Sequence, residues 1–510
     1  MKKYFAEIFS VFIFALLIPV YSLVNFYQND DWNRNTSILR FLVGDFKLLD
    51  VTATTFYSQG FLGYFWALFF GVEKIPFLTL LISVLNFYIF YKIITLKYNF
   101  KISTSIIIAL ILFFNVFHAY SSVGFMTENY LLFYFLLAIY FFSKFQKDNK
   151  NSNLWLSNIF SFFGFYAKQN ALIFPVGLAI FFLINKKWQE LKIQVVSIFF
   201  ILTSYYLFFP RTGEMQDKDF NFLNLLNFNY SFSLIYSILI YLAFFSLPFI
   251  FSFFYEQSKK INLKIILILF PLSVILYLSF NYFFKPGEIS WEEFPYLENT
   301  FERTGFLPRT LSGTKYQFKY NYDLYFYIDL ISKLSIAILL SYLIISKERF
   351  KFLNNPYLIS LIVGLGLMIF VEVFFDRYIL LLVPLIYLYL LNIIKEESLL
   401  FKIALSFYCL FVSYFSYFLT LDFIYTQNYV WTKSRELVSK NLALPQEINA
   451  TGAWKKLYKP VGSKYLFTYD SFNKNKELKD SYELVEEKVI NFKGNLFINP
   501  TVYLLKIKNQ

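Results

Sequence analysis

Long apolar runs return along this chain at intervals that no water-soluble core requires, and they set what it can fold into. A bilayer core takes about 20 apolar residues per helix, and by that measure about thirteen stretches qualify. They fall at roughly 5–24, 77–96, 102–117, 130–145, 154–167, 171–185, 193–209, 232–254, 265–284, 325–345, 358–375, 378–394 and 400–421. With 57% hydrophobic, 23% aromatic and only 16% charged residues, the chain is a membrane protein. Backbone amides in lipid must find partners within the chain, so runs of this length and composition are helices. The expected class is an α-helical polytopic membrane protein.

Orientation follows from where the cations fall. Lys2, Lys3, Lys97, Lys101, Lys144, Lys147, Lys150, Lys186, Lys187, Lys259, Lys260, Lys264, Lys347, Arg349, Lys351 and Lys395 occupy alternate gaps. By the positive-inside rule that side is cytoplasmic, which makes the amino terminus cytoplasmic. An odd number of spans then leaves the loop at 28–76 and everything after residue 421 outside. The formal charge of +13 is thus a matter of topology and anionic lipid heads, and nucleic acid is not an expected partner. The opening MKKYFAEIFS and the apolar run behind it lack a small-residue cleavage pattern, so this segment is read as a retained first helix. Cys409 is the sole cysteine, which rules out an intramolecular disulfide and any multi-cysteine metal site.

The first outer loop carries the adjacent carboxylates Asp30 and Asp31, which belong at a surface or in a wet cavity. They either cap a helix starting near Trp32 or act on a substrate. Two segments behind them, roughly 32–43 and 56–70, read as juxtamembrane helices lying on the bilayer. The runs 154–167 and 171–185 are short and leave only Lys168, Gln169 and Asn170 between them, so the turn is expected to sit in a protein cavity. Lys168 there either snorkels to headgroups or meets an anion. Arg377, in the turn Asp376-Arg377-Tyr378, is a second cation on that side; its planar fork suits phosphate, or it pairs with Asp376 or a lipid head. Glu128 opens the fourth span, either as a site acid or as a partner of the helix dipole. Asp329 and Lys333 stand one turn apart and should neutralise each other.

Two outer loops are long. Residues 210–230 carry Arg211, Glu214, Asp217 and Asp219; residues 285–323 carry Glu288, Glu292, Glu293, Arg303 and Arg309 and form the candidate lid. Glu372 lies near the outer end of the eleventh span. From 422 to 510 the composition turns polar, with a helix expected around 432–441 and strands at KYLFTY, KVINF and TVYLLKIK. Two domains follow: a membrane domain at 1–421 and a small α/β extracytoplasmic domain at 422–510. There is no Walker loop, GxSxG or HExxH, and His118 alone cannot build a multi-histidine metal site.

The order of these features resembles the GT-C superfamily of integral-membrane glycosyltransferases, in particular the branch of protein O-mannosyltransferases and aminoarabinose transferases. Asp30-Asp31 stands where that family has an acidic pair, and the run Gly44 to Gly71 is similar to its segment before the second span. Lys168 to Leu183, Asp376 to Leu385 and Glu447 to Trp454 also resemble family stretches. Ser58-Gln59-Gly60 departs from the family's cation followed by Pro-Pro, which moves the phosphate role to Lys168 and Arg377. The resemblance implies transfer of a sugar, with inversion, from a polyprenyl-phosphate donor to a glycan, lipid or protein acceptor at the outer face of the plasma membrane. Asp30 and then Asp31 are the catalytic candidates, and Tyr57, Gln59, Glu128, Gln169 and Tyr378 the candidates for substrate contact. No cofactor is expected to be obligatory, although Asp30, Asp31 and Glu128 carry oxygen ligands for a divalent cation. A flippase for lipid-linked glycans and a polysaccharide polymerase or ligase are the alternatives that the same features leave open.

Overall fold

The computed structural model describes residues 4–52, 54–209, 224, 226–258, 263–283, 294–297, 299–303, 305, 306, 311, 321–345, 354–371, 374–394, 397–494 and 501–508. Each expected apolar run coincides with a helix. These are α1 (Phe5–Tyr21), α4 (Ile75–Lys97), α5 (Ile102–Phe113), α7 (Thr127–Asp148), α8 (Asn151–Phe165), α9 (Ile173–Ile184) and α10 (Trp188–Phe208), followed by α11 (Phe228–Ser258), α12 (Leu263–Phe283), α13 (Asn321–Ile345), α14 (Pro356–Ile369), α15 (Leu382–Ile393) and α16 (Leu399–Ser439). The first loop holds the helices α2 (Asp31–Leu42) and α3 (Tyr57–Phe70). A further helix, α6 (Val116–Val123), bends away from α5 by 63°.

Among the described residues, six helices are long and apolar enough to cross a bilayer, or seven if the bent pair α5–α6 is one span. That is fewer than the thirteen expected. Several runs, α9 and α14 among them, form helices shorter than a bilayer core, and α8 ends after 15 residues. Short helices are tolerated where neighbouring protein satisfies the broken backbone. Small residues let them pack closely: a Cβ on Gly177 of α9 would lie 2.6 Å from the Cα of Ser360 in α14. Ser157 of α8 donates across to the Ala138 carbonyl of α7 at 2.8 Å.

The bundle has two polar ends. At one, Lys97 bonds Gln146 (2.8 Å), Asn185 exchanges hydrogen bonds with Asn354, and the Lys101 amide bonds the Glu397 carboxylate. The other holds the first loop, the start of α7, the α8–α9 turn and the turn Asp376–Leu381. Lys2, Lys3, Lys259, Lys260, Lys347, Arg349, Lys351 and Lys395 lie outside the described residues, as do Arg211, Glu214, Asp217, Asp219, Glu288, Glu292, Glu293, Arg309 and Glu372. What is described of the candidate lid is packed inward: Phe294, Tyr296, Thr300, Phe301 and Glu302 are buried, and the strands β1 (Phe301–Glu302) and β2 (Gly305–Phe306) pair antiparallel. Asp329 and Lys333 form the expected pair at 2.7 Å.

The helix expected at 432–441 is the far end of α16, which runs 41 residues through Leu421 without a break. Beyond it, β3 (Ile448–Asn449), the helix α17 (Gly452–Tyr458), β4 (Tyr465–Thr468), α18 (Lys476–Ser481), β5 (Tyr482–Val489) and β6 (Thr501–Ile507) build a four-stranded sheet of order β3-β4-β6-β5. KYLFTY and TVYLLKIK supply β4 and β6, whereas only Lys488 and Val489 of KVINF are in a strand, at the end of a β5 that begins at Tyr482.

Candidate active site

The two adjacent acids have different surroundings. Asp31 is 2% exposed. Its Oδ2 accepts from the amides of Phe125 (2.7 Å) and Gln28 (3.3 Å), and its Oδ1 from Arg34, one helical turn on, at 3.2 Å. Gln59, fully buried, donates to the carbonyl of the same Phe125 at 2.8 Å. The Phe125 peptide is thus gripped from both sides, three residues before Glu128. Gly124 has to be glycine here, because a Cβ would stand 2.0 Å from Asp31 Oδ2. Asp30 precedes α2 without capping it through its side chain, which is 31% exposed. Its Oδ1 accepts from Lys456 of α17 at 2.7 Å, and among the described residues its Oδ2 accepts nothing.

Of the two adjacent carboxylates, only Asp31 holds its proton more tightly than usual. Burial pushes Asp31 up to about 7, against Arg34 and the two amides, with Asp30 a minor contributor. Burial acts on Asp30 too, but Arg34, Lys456 and Arg377 outweigh it and hold that carboxyl below its usual range. Asp30 is therefore the ionised, reachable acid of the pair, and Asp31 a tie between loop and bundle.

The cations meet on Glu128. Lys168 Nζ lies 3.2 Å and Arg377 Nε 3.0 Å from its Oε1, and all three side chains are at least nine-tenths buried. Lys168 does not snorkel: its ammonium sits 3.4 Å over the ring of Tyr378. Arg377 also bonds Thr300 Oγ1 at 3.2 Å. It is aimed by Asp376, whose carboxylate takes the amides of Thr300 (3.3 Å), Phe301 (3.1 Å) and Arg377 itself (2.8 Å). Lys168 is aimed by the first loop. A helix end leaves its last carbonyls without partners, and at the end of α8 these are met by the Thr55 hydroxyl on Phe165, the Ser58 amide on Tyr166 (3.0 Å) and the Phe56 amide on Ala167 (3.2 Å). Phe56 takes a left-handed φ of 46° to do this.

Next to this contact is an apolar cavity of about 570 Å³, walled by Tyr57, Ser58, Phe61, Phe162, Tyr166 and Phe209 among others. Tyr57 belongs to that wall and donates to the Phe46 carbonyl at 3.3 Å. The fold therefore brings Asp30, Glu128, Lys168, Arg377 and Tyr378 to one end of the bundle. Tyr57 is on the cavity wall, Gln59 is behind the site with no surface to offer a ligand, and Gln169 follows Lys168 half-buried in a 3-10 turn. Among the described residues no three His, Cys, Asp or Glu side chains are grouped to hold a metal ion. The oxygens of Asp31 and Glu128 face Arg34, Lys168 and Arg377 instead.

Arg34, Thr300 and Lys456 were not anticipated, and Asp376 only as a partner for Arg377. Arg34 had a signal, its i,i+3 spacing from Asp31, and Asp376 adjoins Arg377; Lys456 lies 426 residues from Asp30 and had none.

A buried cation pair beside an ionised, half-exposed carboxylate, at the end of a membrane helix bundle and next to an apolar cavity, is an arrangement for a ligand with an anionic head and a lipid tail. The family model described as dolichyl-phosphate-mannose-protein mannosyltransferase matches residues 61–211. That span includes Glu128 and Lys168 and leaves out Asp30, Asp31 and Arg377. The match supports a GT-C-like membrane glycosyltransferase that uses a lipid-linked sugar. No curated protein and no solved structure matches the chain significantly.

Proposed function

We propose that this protein transfers a sugar from a polyprenyl-phosphate donor to an acceptor hydroxyl of an envelope glycan, lipid or protein, at the membrane face opposite the lysine-rich gaps. The observation that carries this reading is the convergence of Lys168 and Arg377 on Glu128, with Arg377 near enough to act on the charge of Asp30. The apolar cavity by Tyr57 and Tyr166 suits part of the polyprenyl chain.

In this reading Asp30 takes the proton of the acceptor hydroxyl, whose oxygen bonds to the anomeric carbon from the side opposite the phosphate. The bond from that carbon to the phosphate oxygen breaks, and its electron pair stays on the phosphate. Asp30 loses a negative charge as the departing polyprenyl phosphate gains one. Lys168 and Arg377 face the side that becomes more negative, which is where fixed positive charge lowers the barrier. Glu128 holds both cations in place until the donor phosphate arrives to share or replace it.

The test supplies membranes containing wild type, Asp30→Asn or Asp31→Asn with radiolabelled polyprenyl-phosphate mannose, glucose or aminoarabinose. Loss of a general base costs about 10²- to 10⁴-fold in rate, and that loss is expected in Asp30→Asn. Wild-type transfer by Asp30→Asn refutes the base assignment; a purified protein that transfers none of these sugars refutes the transferase and favours the flippase.

A further inference from the structure

The carboxyl-terminal segment reaches the reacting end of the bundle through one side chain. Lys456 Nζ lies 2.7 Å from Asp30 Oδ1 and 3.4 Å from Asn29 Oδ1. Its helix, α17, is held firmly. Thr451 caps it by accepting from the Trp454 amide at 3.2 Å, and the same hydroxyl accepts from the Trp431 indole at 3.0 Å. Trp454 stands edge-on to Trp431 with ring centres 5.0 Å apart and donates to the Pro445 carbonyl at 3.0 Å. Trp431 in turn meets Tyr27 of the first loop at 5.5 Å, and Asn25 bonds Thr432 at 3.0 Å. The backbone that carries Lys456 is thereby tied to α16 and to the loop that carries Asp30.

Stability does not account for the pair. Lys456 is 52% exposed and Asp30 31% at their side chains, and ion pairs so open to water add little to stability. What the contact does is chemical. It occupies one oxygen of Asp30 and leaves Oδ2 to the incoming hydroxyl. The other charges facing Asp30 are engaged elsewhere: Arg34 and Asp31 from α2 with each other, Arg377 from the turn at 376–381 with Glu128 of α7 and with Thr300. Tyr120 of α6 stands close enough to feel both Asp30 and Arg377. Among the described residues, Lys456 is the one cation in direct contact with Asp30.

We propose that Lys456 is a positioning residue for Asp30, so that the carboxyl-terminal segment completes the active site instead of merely covering it. The proposal rests on the reading of Asp30 as the base. Lys456 keeps Asp30 ionised at acid pH and turns its second oxygen toward the acceptor, since an opposite charge at hydrogen-bond distance favours the carboxylate over the acid.

The full-length protein in membranes is assayed from pH 4 to 8 with radiolabelled polyprenyl-phosphate mannose, glucose or aminoarabinose at limiting concentration. In Lys456→Met the acid limb of the rate is expected to move up by about half a pH unit, as fits so exposed a pair, and in Lys456→Glu further. Lys456→Arg is expected to restore the wild-type limb, which a merely structural contact would not require. Melting of each purified variant shows whether it is folded, and Lys456→Gln takes the place of Lys456→Met if that variant is not. A limb in Lys456→Met that coincides with wild type, while Asp30→Asn abolishes transfer, overturns the proposal and leaves the base assignment standing. Wild-type transfer by Asp30→Asn overturns both.

Discussion

Removing Glu128 tests the centre of the site directly. Its Oε1 is 3.2 Å from Lys168 and 3.0 Å from Arg377, and the three side chains are 4%, 10% and 4% exposed. In Glu128→Ala two buried cations face each other with no anion between them. Breaking a buried ion pair from one side costs about 3–5 kcal/mol, because the remaining charge stays desolvated. Here one carboxylate serves two cations, so the upper part of that range applies. Such a loss shifts a folding equilibrium by roughly two to three and a half orders of magnitude. A lipid phosphate replaces the missing anion, and its binding at about 100 times Kd returns roughly 2.7 kcal/mol. Purified wild type and Glu128→Ala are melted with and without undecaprenyl phosphate, and with farnesol as an uncharged control. The variant is expected to melt lower and to recover more on adding the phosphate than wild type does, with no such difference for farnesol. In Glu128→Ala/Lys168→Met part of the loss should return, since a single cation is then left unpaired. Equal melting of wild type and Glu128→Ala, or equal gains with phosphate and farnesol, refutes the view that Glu128 holds the place of a donor phosphate.

Two further outcomes concern the loop-to-bundle tie. Gly124→Ala puts a Cβ 2.0 Å from Asp31 Oδ2 and 2.6 Å from Gln28 Oε1, so the Phe125 grip must open; a loss of about 1–3 kcal/mol in melting and a fall in sugar transfer are expected, and transfer at the wild-type rate contradicts the grip. Asp31 moves from 3.8 in the unfolded reference to about 7 when folded. The native state thus keeps a proton that the unfolded chain releases, and stability falls as pH rises from about 4 to about 7. Asp31→Asn should flatten that decline in a series of melts across the range, and an unchanged slope assigns it to another group.

The membrane class, the helical segments, the helices α2 and α3 and two of the carboxyl-terminal strands were legible in the sequence because each rests on local periodicity or on apolar length. Asp30, Lys168, Arg377 and Glu128 were legible as candidates because a charge beside lipid is costly and marks itself. Their division of labour was not. Whether Asp31 is a base or a tie depends on the Phe125 amide, which only the approach of α7 supplies; whether Lys168 snorkels or pairs depends on Glu128 and on loop amides that finish α8. That the apolar run at 400–421 and the helix expected at 432–441 are one continuous helix, α16, was not legible either, because the change in composition between them does not interrupt the backbone. Composition and span length thus determine what solvent each segment meets. Which charges share a partner is decided when helices far apart in the chain close on one another, since burial sets the energy of each charge and contact decides its neighbour.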